Sequence, residues 1–112
     1  MNIEPEKMQS AGDAASELLK ALANRHRLLM VCQLIDGERS VSDIADTLEL
    51  RDSTVSQHLA LLRRSGIVTA RRDGQTIWYS ISSAPARAIV QALYSAYCMP
   101  PPRRKAGARA KP

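Results

Sequence analysis

The 112-residue sequence predicts a mainly α domain with one β-hairpin. Three observations predict it. Apolar residues recur at helical spacing through residues 11–62. The period drops to two over residues 67–81, around the pair Asp73-Gly74. Helical spacing then returns over residues 85–98. A switch from 3.6 to 2 and back marks helices on either side of paired strands.

The elements follow in order. Residues 1–10 carry no apolar stripe and read as a flexible lead. Ala14, Ala15, Leu18, Leu19 and Leu22 predict a first helix over 11–23, with Asn24 as the interruption. Leu28, Cys32 and Ile35 predict a second over 25–36, stopped by Gly37. Val41, Ile44, Ala45 and Leu48 make a short third helix. Asp43 stands three residues after Ser40, a first-turn acid without the longer arm of a Glu or Gln capping box. Glu49-Leu50-Arg51 is a turn, and Asp52 or Ser53 caps a fourth helix whose inner face is Val55, Leu59 and Leu62. Gly66 ends it. Residues 67–70 and 76–81 are the strands, joined at Asp73-Gly74 because glycine accepts the positive φ of a tight turn. Pro85 opens a last helix, which the prolines at 100–102 cannot continue. Residues 99–112 read as a disordered basic tail. Two short helices joined by a tight turn and followed by a hairpin make a winged helix-turn-helix, α-α-α-α-β-β-α, spanning residues 11–98.

Composition narrows the function. A chain with 45% apolar and 24% charged residues can bury one small core. That excludes collagen-like, disulfide-scaffold and membrane classes. It also argues against an enzyme with a deep cleft. The polar first ten residues read as no secretory signal, so a cytoplasmic protein is expected. The charge is polarised. Residues 1–50 sum to −4, residues 51–98 to +4, and the tail after Cys98 to +5. Five arginines (51, 63, 64, 71 and 72) crowd one short stretch, as a phosphate-binding surface requires.

The second helix of such a unit enters the DNA major groove. Here its outward residues are Ser53, Thr54, Ser56, Gln57 and His58. Glutamine pairs with adenine edges, and serine and threonine contact bases or phosphates. Arg63 and Arg64 at the helix end and Arg71 and Arg72 on the wing can neutralise phosphates. Gln75 at the wing tip reaches toward the minor groove or the backbone. Double-stranded operator DNA is the expected partner. An interaction module that binds no DNA is the competing reading of the same fold.

Three separated runs carry a resemblance. Leu18-Leu19-Lys20-Ala21-Leu22-Ala23-Asn24-Arg25-His26-Arg27-Leu28, Ser53-Thr54-Val55-Ser56-Gln57-His58-Leu59 and Leu62-Arg63-Arg64-Ser65-Gly66-Ile67-Val68 resemble the ArsR-type bacterial winged-helix repressors. The resemblance covers about residues 11–98. It implies a homodimer paired through the first and last helices, here Leu18, Leu22, Ile89, Leu93, Tyr94 and Tyr97, that an inducer releases from DNA.

The departures choose a branch. Thiolate metal sensors of the family carry Cys-Val-Cys where this chain has Ser40-Val41-Ser42. Zinc and nickel sensors carry carboxylates and histidines on the last helix, and residues 84–98 have neither. No metal and no cofactor is expected at those positions. Cys32 and Cys98 remain, with Leu93-Tyr94-Ser95-Ala96-Tyr97-Cys98 around the second. This placement is similar to the dithiol branch that senses persulfides and oxidants, of the BigR, SqrR and HlyU type. The resemblance implies that Cys32 and Cys98 are the switch and that a small reactive sulfur species or oxidant is the inducer. Spacing alone leaves two other readings open. Both cysteines can be core residues, in a repressor that answers a metal or other ligand. Or the chain is a small thiol oxidoreductase, although it has no Cys-x-x-Cys.

Overall fold

A computed structural model describes residues 1–99. Its elements are α1 (Pro5–Leu22), α2 (Arg25–Gln33), β1 (Arg39–Ser40), α3 (Val41–Leu48), α4 (Asp52–Arg64), β2 (Val68–Asp73), β3 (Thr76–Ile81) and α5 (Ala84–Tyr97). The predicted tail, Met99 apart, lies outside the described residues.

The first helix begins six residues earlier than its apolar stripe. Pro5 sits at the helix start, where its missing N–H costs nothing and its φ is already helical. Glu6 adds a favourable charge in the first turn, and Lys7 pairs with Glu4 at 3.7 Å. The predicted lead 1–10 is thereby cut to its first four residues. A helix turn with no buried side chain leaves no periodic signal to read, and residues 1–10 are all exposed.

Two caps are stronger than the sequence promised. Asn24 accepts a bond from the Arg27 amide at 3.1 Å and starts α2. At α3, Ser40 Oγ accepts from the Asp43 amide at 3.1 Å and Asp43 Oδ2 accepts from the Ser40 amide at 3.4 Å. Aspartate therefore does close a capping box here, at a slightly long second bond. At α4 the cap position is Arg51, not Asp52 or Ser53, and no side chain caps it. Asp52 instead lies in the first turn, where its charge meets the free amides. Between α3 and α4, Glu49 takes a left-handed φ of 58°, which makes the turn tight.

Strand β1 was not visible in the sequence, because two residues show no alternation. It pairs antiparallel with β3, Arg39 opposite Tyr79 and Ser40 opposite Trp78. The sheet order is β1-β3-β2. The hairpin runs from Val68 opposite Ile81 to Asp73 opposite Thr76, leaving Gly74 and Gln75 as its loop. Gly74 has φ 65°, the conformation a glycine is needed for.

The core lies where α2, α3, α4 and α5 meet the base of the sheet. Met30, Val31, Ile44, Val55, Leu59, Leu62 and Ala86 are wholly buried. Leu59 is on the inner face of α4 and fixes that helix against the rest. Replacing Leu59 by Ala should cost about 2–5 kcal/mol, because the cavity cannot fully collapse. Urea denaturation at fixed protein concentration measures it; a loss under about 1 kcal/mol would mean α4 is not held by this face.

Candidate functional site

Helix α4 presents one polar stripe. Ser53, Ser56 and Gln57 are exposed and separated by three and four residues, so they share a face. Arg63 and Arg64 continue that stripe two turns on, also exposed. Among the described residues neither arginine is in an ion pair. Thr54 is half-buried and sits beside this stripe.

His58 is placed differently from its predicted outward position. It is half-buried, and its ring packs edge-on against His26 of α2, centroids 5.8 Å apart. Burial, the Arg27 guanidinium and His26 all push its pKa below the ordinary imidazole value. The neighbour lies 32 positions away in sequence, so no local pattern could show it.

The wing arginines also divide. Arg71 grips Glu38 with two bonds, Nε–Oε2 at 3.0 Å and Nη2–Oε1 at 2.8 Å. Asp73 adds a third contact at 3.9 Å. The guanidinium holds the Glu38 carboxyl below its usual range, chiefly through the hydrogen bonds. Arg71 is therefore committed to a carboxylate, whereas among the described residues Arg72 donates only to the Gly74 carbonyl at 3.3 Å. Gln75 is exposed at the tip.

The two cysteines lie on helices that pack together. Cys32 is on α2 and half-buried; Cys98 caps the end of α5 and is exposed. Both are free thiols. Arg87 of α5 donates to the Ile35 carbonyl at 3.0 Å and pins α5 to the chain just after α2. Burial pushes the Cys32 thiol above its ordinary pKa, and a charge on Cys98 pushes it further. A groove of about 550 Å³ runs beside Cys32, lined also by Ile35, Asp36, Val90, Gln91, Tyr94 and Ser95. Among the described residues no three His, Cys, Asp or Glu side chains are grouped to hold a metal.

The predicted pairing surface needs one correction. Leu18, Ile89 and Leu93 are half-buried, and Tyr94 and Tyr97 are 54% and 83% exposed. Leu22, however, is only 5% exposed and belongs to this chain's own core. The outward leucine of α1 is Leu19, with Met8 on the same stripe three turns earlier. Three leucines in one short run allow either phase, and only the partners of α1 decide it.

Comparison with known proteins places this geometry among regulators. Residues 24–70 match the family model described as bacterial regulatory protein, arsR family. The transcriptional activator HlyU of Vibrio cholerae is 44% identical over 98 residues, covering 88% of this chain and 89% of that protein. The structure of reduced HlyU from that organism superposes with a TM-score of 0.80 at 42% identity, over 84% of this chain and 99% of that one. The transcriptional repressor BigR of Xylella fastidiosa superposes with a TM-score of 0.81 at 37% identity, over 88% of this chain and all of that one. A homodimeric winged helix-turn-helix domain of Mycobacterium bovis superposes at 0.70 with 29% identity, over 86% and 89% of the two chains.

The histidine pair makes a pH prediction. The folded state lowers the His58 pKa, so it binds fewer protons than the unfolded chain. The contribution to stability is full above the unfolded value of about 6.5 and is lost as pH falls below it. Melting temperature should therefore drop between pH 7 and pH 5, and His58→Gln should flatten that slope. An identical slope in the variant would place the titration elsewhere.

Proposed function

The chain belongs to the ArsR family of bacterial regulatory proteins, and from that premise we propose a homodimeric repressor whose DNA affinity is switched by joining Cys32 to Cys98. It is a DNA-binding transcriptional regulator. The observation that carries the switch is one exposed and one half-buried thiol on two helices that pack together, with a groove beside Cys32 walled by both.

Reading falls to the outward stripe of α4. Ser53, Ser56 and Gln57, with Thr54 beside them, meet base edges or phosphates in the major groove. Arg63, Arg64 and Arg72 neutralise phosphates. His58 supports the helix from behind rather than reading bases. Pairing uses Leu18, Leu19, Ile89, Leu93, Tyr94 and Tyr97, consistent with a homodimeric neighbour of the same fold. Two recognition helices then face successive grooves about 34 Å apart.

The switch chemistry follows from the two environments. Exposed Cys98, as thiolate, attacks the outer sulfur of a persulfide R–S–SH. Cys98–S–SH forms and R–S⁻ leaves. The Cys32 thiolate then attacks the inner sulfur, forming the Cys32–Cys98 disulfide and expelling HS⁻. A peroxide reaches the same bridge through Cys98–SOH, with water as the product of resolution. Cys98 takes the first step because it is the exposed thiol, and half-buried Cys32 serves as the resolving one. The bridge draws the end of α5 onto α2. A small rotation in the dimer then prevents both α4 helices from docking at once.

Intact-mass spectrometry of reduced protein tests this after separate treatment with glutathione persulfide and peroxide. The account predicts a two-hydrogen loss, with Cys32 bridged to Cys98, after either reagent. Cys32→Ser should stop at a Cys98 adduct, and Cys98→Ser should react far more slowly. No reaction with either reagent would return both cysteines to packing. A separate prediction concerns the reader. Arg63→Ala and Arg64→Ala should each reduce the slope of log affinity against log salt by about 1.8, two contacts per homodimer, and Arg71→Ala by less, since Glu38 already holds it. Equal slopes for all three variants would contradict that division.

A further inference from the structure

The groove beside Cys32 is larger than a sulfur atom needs. Its volume of about 550 Å³ is within the range of small-molecule sites, whereas a hydrosulfide ion would occupy a small corner of it. Its walls are of two kinds. Ile35, Val90 and Tyr94 supply an apolar surface. Asp36, Gln91 and Ser95 supply a carboxylate, an amide and a hydroxyl. Among the described residues no lysine or arginine lines it. The nearby Arg87 is spent on the Ile35 carbonyl at 3.0 Å. Asp36 is exposed, and among the described residues it has no ion-pair partner. Tyr94 stands one helical turn before Cys98, so the α5 wall of the groove leads to the exposed thiol.

We propose that this groove holds the organic carrier of the incoming persulfide and selects it by charge, taking cationic aminothiol persulfides ahead of anionic ones. The inference rests on the dithiol reading above and adds the class of its substrate. The alkyl part of the carrier lies on Ile35 and Val90. Its ammonium group meets the Asp36 carboxylate. Its outer sulfur is delivered to Cys98, and the carrier leaves as R–S⁻, protonated from water to R–SH. Selection of this sign opposes the whole-protein field. The chain carries a formal +5, which by itself draws anions. A preference for cations therefore has to come from the groove.

The test compares two donors on the full chain, cysteamine persulfide with a cationic carrier and glutathione persulfide with an anionic one. Bridging rates are followed by intact mass in wild type, Asp36→Asn, Asp36→Lys and Asp46→Asn. The last removes an exposed acid on α3 and controls for net charge. Only the ratio of the two rates is compared between proteins, so each donor's intrinsic reactivity cancels. The ratio should favour the cationic donor in wild type more than in Asp36→Asn by about three- to tenfold. Asp36→Lys should shift it further, and Asp46→Asn should leave it unchanged. Added salt should shrink the wild-type preference. Bridging at one common ratio in all four proteins would overturn the groove assignment alone, as when a second copy's helix fills the groove. Absence of bridging with both donors would overturn the dithiol reading itself.

Discussion

Burial of Met30 and Val31 is the constraint on which the rest of the architecture depends. Both are completely shielded from solvent on a helix of nine residues. Each such side chain contributes about 1.5–3 kcal/mol of transfer free energy. To bury them, α2 must be surrounded, and it packs against all four other helices. One side of α2 therefore meets α4, through His26 and His58. Another meets α5, with Cys32 at that contact. A helix held this way cannot move by itself. In the proposed switch, a covalent change at Cys32 would pass to α5 and to α4 through the same short rod.

Charge is arranged in a similar division. The second half of the sequence is rich in arginine, yet those side chains do different work. Arg71 is tied to Glu38 across 33 positions of sequence and joins the wing to the turn after α2. Arg87 holds that same region to α5. Arg63 and Arg64 stand clear at the end of α4. An exposed ion pair adds little to stability, but a bidentate one fixes geometry. The wing is thus oriented by one arginine while others remain available for phosphates.

Much of this was legible in the chain. Val55, Leu59 and Leu62 identified the inner face of α4, and the exposed stripe is its complement. The period of two around Asp73-Gly74 located the wing. What escaped was whatever depends on distant partners or on too few residues. Strand β1 has two residues and exists only because β3 is beside it. The start of α1 rests on a proline and local charge, with nothing buried to reveal it. Leu22 and Leu19 exchange roles because helix phase is set by what α1 packs on. His58 turned inward to a histidine on another helix. Both cysteines were visible as residues, but that their helices pack together is a property of the tertiary fold. The tally of arginines was readable and their division was not, since Glu38 lies far from Arg71 in sequence.

The most direct measurement is the DNA affinity of the bridged protein. A duplex is first selected by the reduced chain from a random-sequence pool. Reduced protein and protein shown by mass to be fully bridged are then titrated onto it at one salt concentration. The account predicts at least a tenfold loss on bridging, equal to about 1.4 kcal/mol, and recovery when a dithiol reductant opens the bridge. Equal affinity of the two forms would contradict the switch and leave a DNA-binding regulator governed by another signal.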